Sequence, residues 1–346
     1  MSSYSSSTTS VHLDQPPEDT ISDLCFANNK PYLAATSWDG TIRIWDVNYT
    51  QCKALFKSTF REKSKTSLLR CCFTGDGDSV LFSNTNNEVK LLKICDKEMV
   101  SPTTIISQNT SPIVGMKYLN DRNQIIVGTM SGSIGVFDVQ ANGALVSVHD
   151  IKDTCVVNFD LGKNSVYCAL SGRKICQIDL RSSEIRPAEG RAGTLKVNQM
   201  NTSIPSMITS IAAAPDDTGY IAGCITGHVE WSFPPHSRIE PCHRNDNSKT
   251  LYSSNCVAIS SERPIGMSVG GDGQLAIFSF SSGKKNRETK ISSSSSHPLT
   301  NCAFAPKGDI YAVAQGEDWS RGAESHKREK VPVQVYLRKL AQSEIN

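Results

Sequence analysis

The side chains best suited to chemistry gather in two places. One is the stretch from Gln315 to Pro332 (QGEDWSRGAESHKREKVP), where Arg321, Lys327, Arg328 and Lys330 stand near Trp319. The other is Cys242-His243-Arg244. A guanidinium presents a planar fork to a carboxylate or phosphate, and an indole presents a face to a base or an apolar anchor. Oxyanion recognition is therefore the chemistry on offer. The plainer readings stand beside it: a solvated insertion for the long basic stretch, and a structural or strand-end charge for Arg244. Catalysis has no such signal, because the one GxSxG match, Gly266 to Gly270, falls inside a β-prone run with no helix after it, and no Walker loop, HExxH helix or dinucleotide fingerprint occurs. The reading is a non-enzymatic protein without a cofactor. The His residues are dispersed, no CxxC pair occurs and Cys242-His243 has the wrong spacing for zinc, so no metal site is expected.

Any basic site must be local, since 36 Lys plus Arg against 34 Asp plus Glu leave a formal charge of only +2. A hydrophobic fraction of 38% supports a packed core. No apolar run approaches the ~20 residues that cross a bilayer, so no membrane insertion is expected. Met1 to Ser10 is rich in Ser and Thr, with neither a basic start nor an apolar stretch, which predicts no secretory signal and a nucleocytoplasmic protein. The twelve Cys are scattered, several inside apolar runs (Cys25, Cys71, Cys72, Cys302), and read as reduced, buried thiols.

What positions these groups is a repeat. An alternating apolar run, a turn, a run of small and apolar residues, a second tight turn and another apolar alternation recur from near Thr20, Ser67, Pro112, Thr154, Met207, Ser253 and Leu299. The spacings, roughly 42–53 residues, fit a four-stranded propeller blade and no helical repeat. Asp39-Gly40, Ser131-Gly132, Ser171-Gly172 and Asp272-Gly273 supply hairpin turns between β-prone runs. The expected fold is all-β, a seven-bladed propeller over 11–340, between a Ser/Thr-rich tail at 1–10 and a C-terminal tail at 341–346. The last unit lacks one outer strand. The segment Val11 to Leu13 is expected to supply it, pairing the two termini and closing the ring.

In a four-stranded meander the turn between strands two and three lies on the same rim as the link to the next blade. This geometry places Arg244, in the link between blades five and six, on one face with Trp319, in the long loop of blade seven. Trp38, beside the hairpin turn of blade one, lies on that rim too. It reads first as a packing residue, and with Trp319 could form one aromatic patch. The basic runs Lys57 to Lys65, whose one aromatic is Phe60, and Lys284 to Lys290, which has none, read as solvated. Ser292 to Ser296 reads as a connector and a compositional candidate for phosphorylation.

The repeat resembles the WD-repeat β-propellers over essentially the whole chain. Trp45-Asp46 is the one complete signature dipeptide, and Phe137-Asp138 and Ile178-Asp179 stand in its place elsewhere. In that family a turn Asp, a strand Trp, a Ser or Thr and the His of a Gly-His pair form a hydrogen-bonded brace. Asp39 and Trp45 match the first two, but Gly227-His228 falls in a turn, so the resemblance implies an incomplete brace.

Within the family, Glu18 to Asp23, Ser37-Trp38-Asp39-Gly40, Arg43-Ile44-Trp45, Cys242-His243-Arg244 and Asp318-Trp319-Ser320-Arg321-Gly322 are similar to the messenger-RNA export propellers of the nuclear pore. The spindle-checkpoint propellers share the Cys-His-Arg element. This resemblance implies an adaptor whose rim receives a glutamate-rich segment of a nucleoporin. Arg244 would pair a peptide carboxylate beside Trp38, and Trp319 and Arg321 would belong to a surface for single-stranded RNA. Lys327 and Arg328 extend that surface by position and charge. The implied location is the nucleus and its envelope, at the pore, with shuttling to the cytoplasm. The alternatives are a checkpoint adaptor bringing a kinase to kinetochores, and a generic scaffold.

Overall fold

The computed structural model describes residues 10–63, 66–95, 101–107, 110–181, 197–234, 236–245, 247, 249–280, 284–291, 297–328, 330–341 and 344, with backbone only for 236 and 284–290. Most of the Ser/Thr-rich N-terminal tail, the Ser292 to Ser296 run and most of the C-terminal tail lie outside the described residues.

Seven four-stranded antiparallel sheets follow one another along the chain. Their first strands are Ile21–Phe26, Leu68–Phe73, Ile113–Leu119, Val156–Leu161, Ile208–Ala213, Ser254–Ile259 and Leu299–Phe304. Each packs on the next, and the last packs on the first, so they form a closed ring around a channel of about 630 Å³.

A shared irregularity makes the ring. Every first strand carries a β-bulge after its opening residue, for example between Ile21 and Asp23, between Ile208 and Ser210, and between Leu299 and Asn301. A bulge leaves one residue out of the ladder and re-aims its side chain. In blades one, five, six and seven that residue is polar and reaches for the next blade. Ser22 donates to the Leu68 carbonyl at 2.7 Å and Asn255 to the Leu299 carbonyl at 2.8 Å, while Thr209 donates to the Ser254 carbonyl. Thr300 repeats the contact across the closure, donating to the Ile21 carbonyl at 3.4 Å. Four of the seven seams are thus latched side chain to backbone, which answers part of the hydrogen-bonding demand of strand ends that face no sheet partner.

Between the blades lies the core. Seven apolar clusters occupy the seven seams, one per pair of neighbours. The second and third strands are apolar on both faces because both faces touch another blade, as in Val80, Leu81 and Phe82 of blade two, all fully buried. All twelve Cys are free, and most lie in these seams. Cys155, read from sequence as buried with the rest, is exposed.

Closure follows the sequence expectation closely. Val11–His12 pairs antiparallel with Gln334–Lys339, in the register Val11↔Leu337 and His12↔Tyr336, as the outer strand of blade seven. Leu13 then turns into the seam between blades seven and one, with its N–H on the Val335 carbonyl at 2.9 Å.

The long stretch after Ile310–Gln315 contains a short helix, Gly322–Arg328. Glu324 in its first turn and His326, Lys327 and Arg328 in its last suit the helix dipole. Seven residues leave no room for a periodicity that could be read in advance.

Candidate functional site at the channel mouth

The second-to-third-strand turns carry one equivalent residue per blade. Its N–H bonds the carbonyl of the preceding link: Trp38 to Thr20, Thr85 to Ser67, Met130 to Pro112, Ser171 to Cys155, Ile225 to Met207, Gly271 to Ser253 and Gly316 to Pro298. All seven therefore lie on one rim. Three of them are large apolar side chains left about half exposed, Trp38, Met130 and Ile225, and Met207 and Leu251 in the neighbouring links are exposed as well. Of these five, sequence reasoning singled out Trp38 alone. The signal for Met130 and Ile225 was an apolar residue two places before a turn glycine, in Met130-Ser131-Gly132 and Ile225-Thr226-Gly227 as in Trp38-Asp39-Gly40, while Met207 and Leu251 carry no such mark.

Trp38 is fixed through its backbone, since its carbonyl also accepts from Ser67 Oγ at 2.8 Å. Its neighbour Asp39 organises the turn, accepting from the Thr41 N–H at 2.8 Å, the Thr41 hydroxyl and the Glu18 N–H at 3.0 Å, with Arg43 close by. Burial works against the charged carboxylate, but these donors and the guanidinium outweigh it and hold Asp39 below the usual carboxylate range. Trp45 does not join Asp39 in a brace. Its indole N–H donates instead to the Asp14 carbonyl at 2.9 Å, tying the first blade to the closing strand.

Three members of such a brace meet in blade six, around a histidine that the sequence reading did not assign to it. His243 is fully buried; its Nδ1 lies 2.9 Å from Asp272 Oδ1 and its Nε2 2.8 Å from Ser268 Oγ. Asp272 to Phe278 repeats the spacing of Asp39 to Trp45, with a phenyl ring in place of the indole. The histidine was missed because no glycine precedes it. Both ring nitrogens are engaged, which leaves none for a metal, and among the described residues no group of three or more potential ligands gathers.

The brace positions Arg244. Just beyond His243 the chain forms a two-stranded ribbon, Arg244–Asn245 with Thr250–Leu251, in which Arg244 and Leu251 are directly opposed and both exposed. Replacing His243 with Ala should cost about 2–4 kcal/mol in urea unfolding, because Asp272 and Ser268 would remain buried without their partner. A loss under about 0.5 kcal/mol would mean the brace is incidental.

The same turn reaches Trp319 on its other flank. A Cβ at Gly270 would stand 2.3 Å from His243 Nδ1, and one at Gly271 would stand 2.6 Å from Asp318 Oδ2, so two glycines let His243 and Asp318 close on one turn. Arg244 and Trp319 thus emerge on one face, Arg244 from the link beside this turn and Trp319 from the loop of blade seven. Asp318 Oδ1 accepts from the Ser320 N–H at 3.0 Å and its hydroxyl at 2.7 Å, while Oδ2 accepts from Asn255 at 3.3 Å. Trp319 takes a left-handed φ of 60° and Gly322 one of 76°. Asp-Trp-Ser-Arg-Gly is therefore a turn that brings an indole to the channel mouth and leaves Arg321 exposed two residues beyond it. Glu317, two residues earlier, exchanges backbone hydrogen bonds with Thr20 Oγ1, both 3.1 Å, and so pins the loop to blade one.

Trp38 and Trp319 both line the mouth. They form no ring contact among the described residues; Trp319 packs on His326 instead, with centroids 4.7 Å apart. Lys327 pairs with Glu324 at 2.9 Å on the exposed helix face, which offsets part of its charge, and Arg328 is exposed at the helix end. Inside the channel, burial disfavours the charged form of Lys117, but Asp160 at 2.7 Å outweighs it and raises the lysine well above its usual range. Arg70 is spent there on the Val114 and Ser22 carbonyls, so the accessible cations are those of the rim.

The geometry defines a seven-bladed β-propeller, and the family model described as "WD domain, G-beta repeat" matches residues 6–46. The chain is 24% identical over 330 residues to the WD40 repeat protein poxJ of Penicillium oxalicum, covering 90% of this chain and 88% of that protein. It is 25% identical over 361 residues to the poly(A)+ RNA export protein of Schizosaccharomyces pombe, covering 97% and 92%. To the mitotic checkpoint protein BUB3.1 of Arabidopsis thaliana it is 23% identical over 348 residues, covering 96% and 93%. No helix among the described residues is long and apolar enough to cross a membrane.

Proposed function

We propose that this propeller is a non-enzymatic adaptor in messenger-RNA export at the nuclear pore. Its rim captures a glutamate-rich segment of a nucleoporin through Arg244 and Trp38, and contacts single-stranded RNA through Trp319, Arg321, Lys327 and Arg328. The observation that carries the reading is the convergence of Arg244 and Trp319 on one rim, on either flank of the Gly270–Gly273 turn. The likeness to the S. pombe poly(A)+ RNA export protein supports the export setting, and with it a location in the nucleus and its envelope, with shuttling to the cytoplasm. The likeness to BUB3.1 favours a second reading, in which the same rim brings a mitotic checkpoint kinase to kinetochores. Affinity capture from cells separates them: nucleoporins support the first, checkpoint kinases the second.

The RNA part has its own test. Neutralising Arg321, Lys327 and Arg328 should flatten the salt dependence of poly(U) binding by roughly 0.7 in log–log slope for each phosphate no longer neutralised. Arg321 and Arg328 should account for most of the change, since Lys327 already has Glu324. An unaltered slope would place RNA elsewhere on the protein.

A further inference from the structure

The loop that carries Trp319 hides two polar atoms with no hydrogen-bond partner, facing each other. Glu317 is 5% exposed. Its Oε1 accepts from the Trp319 N–H at 3.2 Å, but its Oε2 is buried without a donor. The nearest candidate is His326 Nδ1, 3.6 Å away, which is buried and equally unpartnered. A buried carboxylate oxygen without a donor is costly, and a charged imidazole at this distance is the natural relief. The pair brackets Trp319 on both sides, with Glu317 holding its backbone and His326 its ring. Between them Trp319 keeps a left-handed backbone that a bulky residue adopts only when its surroundings impose it.

We infer that Glu317 and His326 are positioning residues for Trp319, and that the clamp they form tightens when His326 is protonated. The other charges around the histidine leave this role to Glu317. Glu324 and Lys327, on the same helix, are paired with each other. Asp318 is taken up by Ser320 and Asn255. Arg321 and Arg328 are exposed, and on the adjoining segment of blade one Asp19 accepts from the Thr20 N–H while Glu18 faces Arg61. The sign follows directly. An ion pair with Glu317 exists only when the imidazole carries its second proton, so Trp319 is held more firmly in acid than in alkali.

The inference concerns the rim of the proposed function and rests on that reading only for what Trp319 touches. Its test reads Trp319 itself, so a failed clamp and a failed partner assignment are distinguishable. In the full chain, acrylamide quenching of tryptophan emission is measured at about pH 5.5 and pH 8, bracketing imidazole titration. Subtracting the Trp319→Phe variant isolates the Trp319 signal. The expected result is a Stern–Volmer constant for Trp319 about twofold lower at the acid pH, with no pH difference in His326→Phe, which keeps the ring stack but cannot take a proton. Glu317→Gln should behave like His326→Phe, and His228→Asn and His297→Asn, which alter the other half-buried histidines of this rim, should each retain the wild-type response. A wild-type constant equal at both pH values, or a response that survives in His326→Phe, would overturn the clamp. His326→Phe changes a partly exposed helix position, so the test stands even if Glu317→Gln fails to fold.

Discussion

Deleting residues 1–15 should destabilise the propeller more than any single substitution at the rim. The loss includes the burial of Leu13, about 1.5–3 kcal/mol for a full aliphatic side chain, and the bond from the Trp45 indole to the Asp14 carbonyl, about 1 kcal/mol. It also removes the pairing of Val11–His12 with Gln334–Lys339, the packing of His12 on Tyr336 and the bond from Gln334 to the Leu13 carbonyl. Together these amount to something on the order of 5 kcal/mol, or a fall in melting temperature on the order of 10 °C. The exposed edge of Gln334–Lys339 would add a tendency to associate. Differential scanning calorimetry on the truncated chain is the measurement. An unchanged midpoint would mean that the ring holds without its closing strand.

Reversing the charge of Arg244 should have the largest effect on binding. Removing one member of a buried, hydrogen-bonded charge pair at an interface costs about 2–5 kcal/mol, and Arg244→Glu adds repulsion against an acidic segment. Affinity for a glutamate-rich nucleoporin segment should fall on the order of 100-fold or more. The fold should survive, because Arg244 lies exposed on a short ribbon outside the seven blades, and the brace that anchors the ribbon is His243. Titration calorimetry paired with a melting curve distinguishes the outcomes. Retained affinity with a normal melt would remove Arg244 from the site.

Blade number, blade phase and terminal closure were legible because they rest on short-range chemistry. Alternating apolar runs and turn dipeptides recur at each unit, and the seven first strands begin within two residues of the positions the repeat suggests. The brace was not legible. His243 lies far in sequence from Ser268 and Asp272, and only the path of the link between blades five and six brings them together. Nor were the four latches, since a β-bulge leaves no mark in composition: Ser22, Thr209, Asn255 and Thr300 look like ordinary polar strand residues until the bulge turns them toward the next blade. The site was half legible. Loop placement gave the shared rim of Arg244 and Trp319, but the geometry around Trp319 depends on Glu317, Thr20 and His326, from a loop, the adjoining blade and a helix of seven residues.

A hydrogen-exchange footprint of the full chain, with and without a glutamate-rich nucleoporin peptide, probes the shared rim itself. Slowed exchange is expected at 225–227, 242–252 and 317–322, around the turn that joins Arg244 to Trp319, with the loops of the opposite rim at 28–30, 75–78 and 306–308 unchanged. Protection confined to that opposite rim, or to the outer strands, would contradict a binding face built on Arg244 and Trp319.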